Sequence, residues 1–102
     1  MVTREKVVEA AKQCYDPEIP VNVWDLGLIY EIAVEENDAV RIKMSLTSKA
    51  CPAAQALPDL LKSLVRKHTG AEDVQVEVVF EPMWTPERIS EEGKKKLGIE
   101  DA

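Results

Sequence analysis

The chain has 102 residues, 45% hydrophobic and 31% charged, with a net charge of −6 from 13 basic and 19 acidic side chains. That length supports one modest core and leaves no room for a second, so residues 1–102 read as a single domain. The acidic balance opposes a nucleic-acid backbone, no basic cluster with interleaved aromatics offsets it, and no apolar run approaches the roughly 18 residues of a membrane span.

The opening "MVTREKVVEAAKQC" lacks the apolar centre of a secretory signal, which makes the cytoplasm the expected compartment. It reads as a helix. Thr3 is a candidate cap with Glu5 in the first turn, and Val7, Ala11 and Cys14, with Val8 and Tyr15 beside them, recur at helical spacing. The pattern should end at Asp16-Pro17, because a residue before proline is pushed out of the α region. Cys14 lies on the apolar stripe and reads as a small core residue.

"DPEIPVNVWDLGLIY" follows, whose prolines exclude regular structure until about Leu26. A loop this apolar should be packed down. From Leu28 the chain alternates: Leu28, Tyr30, Ile32 and Val34 on one face, Ile29, Glu31, Ala33 and Glu35 on the other. Val40, Ile42, Met44 and Leu46 alternate in turn with Arg41, Lys43, Ser45 and Thr47. These are two half-buried strands, with "EEND" as their hairpin turn.

In "LTSKACPAAQALPDLL" a helix is expected to start at Cys51 as N-cap, with Pro52 at the first position. Leu57, Leu60, Leu61, Leu64 and Val65 form its apolar face, Pro58 should bend it, and it should stop near Gly70. His68, in its last turn, reads as solvated. A third strand alternates Val74, Val76, Val78 and Phe80 with Gln75, Glu77 and Glu81. "MWTPERISEEGKKKLGI" then predicts one last helix, with Thr85 as cap, Pro86 first, Trp84 and Ile89 as a hydrophobic staple, and Lys94, Lys95 and Lys96 at its C-terminus. The order α-β-β-α-β-α implies an α+β fold, a small three-stranded sheet with three helices.

Few side chains here carry chemistry. Cys14 and Cys51 form no CxxC pair, so a disulfide framework is not expected, and with His68 they fall short of the usual four or so ligands of a closed zinc site. At a helix start, unpaired N–H groups favour the thiolate of Cys51, Lys49 adds positive charge, and Thr47 and Ser48 offer hydroxyls. The alternative is that Cys51 merely caps and packs. Asp16 and Glu18 read first as turn and solvated residues. Asp25, between Trp24 and Leu26, needs backbone donors or a cation to hold its charge, either to tie down the loop or to serve function. A Cys–His nucleophile pair is not expected, since a helix running from Cys51 to His68 would separate them by roughly 25 Å.

"DPEIPVNVWDLGLIY", "MSLTSKACP" and "FEPMWTPERISEEGKKKLGI", in this order and over about residues 3–100, resemble the PaaD/SufT-type family of iron–sulfur cluster assembly proteins. Eukaryotic members of that family belong to the cytosolic iron–sulfur targeting complex. The resemblance implies a compact domain of the iron–sulfur assembly type and a non-enzymatic accessory role in cluster assembly or transfer. It maps an aspartate–proline–glutamate motif onto Asp16, Pro17 and Glu18, an aspartate–leucine–glycine segment onto Asp25, Leu26 and Gly27, and a threonine-rich loop with a reactive cysteine onto Thr47, Ser48 and Cys51. Many members have proline and glycine where this chain has Lys49 and Ala50, which stiffens the loop. Phenylacetate-pathway members carry a cysteine-rich C-terminal extension, whereas this sequence ends at Ala102, which favours the general assembly branch.

Cys51 is then the expected thiolate contact and metal ligand, to a transient rather than permanent cluster. A cluster takes about four cysteine-type ligands, so the others must come from a second copy, a partner or small thiols. Expected partners are assembly machinery or client proteins, and the edge strands of the sheet permit a homodimer. Three other readings are open: an interaction module docking through the Ile19–Leu26 loop and Trp84, a thiol enzyme acting on persulfide, and a subunit supporting a phenylacetate-type oxygenase.

Overall fold

The computed structural model describes residues 2–16, 20–46 and 56–98. The elements follow the predicted order: α1 (Arg4–Ala11), β1 (Ile29–Val34), β2 (Val40–Met44), α2 (Leu57–Thr69), β3 (Val74–Val78) and α3 (Glu91–Leu97). The three strands form one sheet in the order β1-β2-β3.

Helix α1 starts where expected, with the Thr3 hydroxyl accepting the Lys6 N–H at 3.3 Å. Its buried stripe is Val7, Ala10 and Ala11. It ends at Ala11, well before Asp16-Pro17. The Gln13 and Cys14 amides turn back onto the Ala10 and Ala11 carbonyls, and the Cys14 carbonyl accepts the Val23 N–H at 2.7 Å. A contact across the following loop thus replaces further helix. Tyr15 leaves the apolar face altogether: it forms an isolated bridge with Asn22 and is 50% exposed.

Strands β1 and β2 pair antiparallel through a turn in which the Asp38 N–H donates to Glu35 O at 2.9 Å, with Asp38 in a left-handed conformation. Val40, Ile42 and Met44 are buried as their alternation predicts. The face assigned to β1 needs correction. The register shifts between Ile29 and Glu31, so Ile29 lies opposite Met44 while Ile32 lies opposite Ile42. The bulge puts Ile29 rather than Tyr30 in register with Ile32 and Val34. Freed from the ladder's alternation, Tyr30 donates its hydroxyl to Pro82 O at 2.9 Å, and its ring lies 4.5 Å from the Arg88 guanidinium.

Strand β3 runs parallel to β2, a pairing that requires a crossover, and α2 supplies it. Among the described residues α2 runs from Leu57, with Ala56 at its N-cap, and the start expected at Cys51 and Pro52 lies outside them. Pro58 therefore stands in the first turn, where its missing N–H has no helical partner to lose, and it does not bend a helix interior. Leu57, Leu61 and Val65 are buried, whereas Leu60, expected on the same face, is 45% exposed. The helix ends at Gly70, left-handed at φ +75, whose N–H bonds Arg66 O.

Helices α1 and α2 pack on each other, and the inward side chains of the three strands join them in one contiguous apolar cluster. The opposite face of the sheet is polar and carries the Lys43–Glu31 pair at 3.8 Å and the Arg41–Asp73 pair at 3.1 Å.

The last helix also differs from expectation. Pro86–Arg88 makes only a short 3-10 turn, with no side-chain cap from Thr85, and the chain extends again at Ile89. The helix proper starts after Ser90, whose Oγ accepts the Gly93 N–H at 3.1 Å. A Trp84–Ile89 staple has no helix to clamp, because the first turn ends before Ile89. Lys94, Lys95 and Lys96 do close α3 at its negative end, as the sequence predicts.

Candidate functional site

The loop between α1 and β1 is packed down, as its apolar composition requires. Val21, Val23 and Leu26 are fully buried, and Asn22 is almost so. At its centre Asp25 is 9% exposed, and its carboxylate receives two hydrogen bonds and one ion-pair contact. Asn22 Nδ2 donates to Oδ2 at 2.9 Å, Ser90 Oγ donates to Oδ1 at 3.0 Å, and Lys96 Nζ stands 3.9 Å from Oδ2. The Asp25 N–H also donates to Asn22 Oδ1 at 2.8 Å, and its carbonyl accepts the Ser90 N–H at 2.7 Å. A buried carboxylate so supplied is a structural tie. It fastens the loop to α3 through the side-chain donors of Asn22 and Ser90, with the Lys96 ammonium as the cation; of the backbone donors or cation expected from sequence, the cation is what the carboxylate has.

The next two residues continue the fastening. Leu26 buries its side chain and accepts the Trp84 indole N–H on its carbonyl at 2.6 Å. Gly27 has φ +76, and a Cβ there would stand 2.3 Å from Arg88 O. Only glycine tolerates both that conformation and that approach. Leu28, fully buried, then accepts the Ser45 N–H on its carbonyl at 2.8 Å. Asp25, Leu26, Gly27 and Leu28 thus join the C-terminal segment to the end of β2.

That end is where the cysteine-bearing stretch leaves the sheet. Met44 O accepts the Val79 N–H at 2.8 Å, and Leu46 is buried. Thr47, Ser48 and Cys51 lie outside the described residues, as do Pro17 and Glu18 of the first motif. The roughly 25 Å between Cys51 and His68 assumed one helix across both, and that helix is described only from Leu57. Ser45 Oγ is buried with no hydrogen-bond partner, alone in this among the side-chain atoms of the described residues.

Asp16 is buried beside Cys14. Cys14 is sealed, with no exposed surface, and burial, reinforced by the charge of Asp16, pushes its thiol up to about 11. Such a thiol stays protonated and unreactive at neutral pH. Among the described residues no group of three or more His, Cys, Asp or Glu could hold a metal ion. Of the two tryptophans, Trp84 spends its indole N–H inside the fold, while Trp24 is half-buried and lies 5.7 Å from the Arg4 guanidinium. No described helix is long and apolar enough to cross a membrane.

Residues 4–78 match the model of a family described as iron–sulfur cluster assembly protein, and the chain belongs to that family. It is 41% identical over 97 residues to a protein of Porphyromonas gingivalis named Fe-S protein maturation auxiliary factor, covering 95% of this chain and 92% of that one. It is 34% identical over 97 residues to the Fe-S protein maturation auxiliary factor YitW of Bacillus subtilis, covering 95% of each. The crystal structure of a domain of unknown function, DUF59, from Bacillus anthracis superposes with a TM-score of 0.87 at 32% identity, over 94% of this chain and 92% of that one. Family and fold both stand as the three motifs imply.

Sequence reasoning missed Ser90, Trp84 and Lys96 as partners of the aspartate–leucine–glycine segment. A signal was present. Ser90 followed by Glu91, Glu92 and Gly93 is a helix start in its own right, five residues beyond the one chosen at Thr85.

Proposed function

We propose that the chain is a non-enzymatic accessory factor in iron–sulfur cluster assembly or transfer, with Cys51 as its thiolate contact to the cluster. The observation that carries the reading is near full-length similarity to relatives named Fe-S protein maturation auxiliary factors. The sealed Cys14 supports it from within, because it leaves sulfur chemistry to the chain's other cysteine, Cys51. One thiol per chain cannot complete the roughly four-ligand shell of a cluster. The cargo is therefore held transiently, with further thiolates from a second copy, an assembly or client protein, or small thiols. The work is placed in the cytoplasm.

Anaerobic reconstitution with iron and sulfide tests this, comparing wild type with Cys51→Ala by absorbance and by iron and sulfide content. Wild type should take up labile cluster and pass it to an apo-client, and the variant should do neither. Equal uptake and transfer by both proteins removes Cys51 from the mechanism and leaves the interaction-module reading. In that case Trp24, rather than the internally bonded Trp84, is the residue to substitute in a partner pull-down.

A further inference from the structure

The family match ends at residue 78, yet four residues beyond it converge on three consecutive positions of the first loop. Ser90 and Lys96 meet the Asp25 carboxylate, Trp84 meets the Leu26 carbonyl, and Arg88 presses its backbone against Gly27. One residue further on, Leu28 O holds the Ser45 N–H, the last described ladder-like bond before the chain leaves β2. A path of backbone neighbours, none longer than one peptide unit per step, thus connects the start of α3 to the end of the central strand.

We propose that the Asp25–Ser90 clasp is a positioning device, acting through Leu26, Gly27 and Leu28 to fix the end of β2 from which the cysteine-bearing stretch departs. The inference rests on the reading of Cys51 given above. It assigns positioning roles to Ser90 and Trp84, which touch no cargo. Lys96 adds little, since its ammonium is half-exposed at 3.9 Å. Ser90 is decisive because its N–H and Oγ both bond Asp25, at 2.7 and 3.0 Å, while the same Oγ caps α3. Removing that hydroxyl loosens the carboxylate and the helix start together.

The test uses the full chain and two readouts, amide exchange by NMR and the pH profile of Cys51 alkylation by iodoacetamide. In Ser90→Ala, exchange at the Ser45 amide should rise about tenfold relative to the central-strand Ile42 amide, the equivalent of one lost hydrogen bond. The Cys51 alkylation profile should shift with it, and Ser90→Thr, which keeps the hydroxyl, should restore both. Val65→Ala, a cavity at a fully buried position of α2, is the control for general destabilisation and should move the Ser45 and Ile42 amides alike. If Ser90→Ala does not fold, Trp84→Phe cuts the same path at Leu26 and should give the same pattern.

Equal changes at Ser45 and Ile42, an unchanged alkylation profile, or a threonine variant no better than alanine would each overturn the positioning role. Failure of the functional reading shows elsewhere, as unimpaired cluster uptake by Cys51→Ala with the clasp intact.

Discussion

Replacing Gly27 by alanine should destabilise the domain by about 3–6 kcal/mol, most of it through a contact and not through backbone strain. Two terms enter. A left-handed non-glycine residue costs about 1–2 kcal/mol wherever it stands. At Gly27 the new Cβ would also lie 2.3 Å from Arg88 O and 2.8 Å from Arg88 C and Cβ, so the Pro86–Arg88 turn must move. That turn is flanked by the Trp84–Leu26 bond at 2.6 Å and the Ser90–Asp25 bonds at 2.7 and 3.0 Å. Weakening one neutral bond and one bond to a carboxylate adds roughly 2–4 kcal/mol. Gly70 supplies the control, because it has nearly the same φ, +75 against +76, but nothing within 4 Å of its would-be Cβ. Gly70→Ala should show the strain term alone, about 1–2 kcal/mol. Urea unfolding of both variants, followed by fluorescence of Trp24 and Trp84, separates the two terms. For a domain whose total stability is on the order of 5–15 kcal/mol, the two midpoints should be plainly different. Equal losses at Gly27 and Gly70 would refute the reasoning that the C-terminal segment bears on the loop.

Trp84→Phe keeps an aromatic ring and removes only the indole donor to Leu26 O, so urea unfolding should show a loss of about 1 kcal/mol. Ser45→Ala removes a buried hydroxyl that has no partner, and its urea midpoint should equal or exceed that of wild type; a clear drop would mean the hydroxyl is satisfied in the fold. Cys14 should resist iodoacetamide in the native protein and react once guanidinium unfolds it, as peptide mapping would show. The raised Cys14 pKa also carries a pH signature. The folded state favours the neutral thiol, so this contribution to stability is complete below the unfolded value near 9.0 and is lost as pH rises through about 11. The loss amounts to about 2–3 kcal/mol, and Cys14→Ala should show a correspondingly shallower alkaline decline.

What could be read from the sequence was whatever depends on a residue's near neighbours. The alternation of Val40, Ile42 and Met44 and the cap at Thr3 involve partners within a few positions or a burial pattern of period two, and both appear as expected. The failures share a different cause. Tyr30 changes face because of a bulge, which exists only in relation to the partner strand. The first helix stops at Ala11 because Cys14 finds Val23 across a loop. In the last segment Thr85-Pro86-Glu87 is a fair local helix start, but Ser90 has a better partner in Asp25, 65 positions away in sequence. Asp25 shows the same limit from the other side. Its flanking apolar residues announced that a buried charge needed donors or a cation, and nothing local named Ser90 as the donor or Lys96 as the cation. Of the candidate site, Asp25 is thus tied into the fold by named partners, while Glu18, Thr47, Ser48 and Cys51 lie outside the described residues.

One sulfur, on the stretch that leaves the central strand beside Leu28, carries the functional proposal. Complementation probes it most directly: cells lacking this chain are supplied with wild type, Cys51→Ser or Cys14→Ser, and the activity of their iron–sulfur enzymes is measured at equal expression. Wild type and Cys14→Ser should restore activity and Cys51→Ser should not; full restoration by Cys51→Ser would contradict a thiolate role.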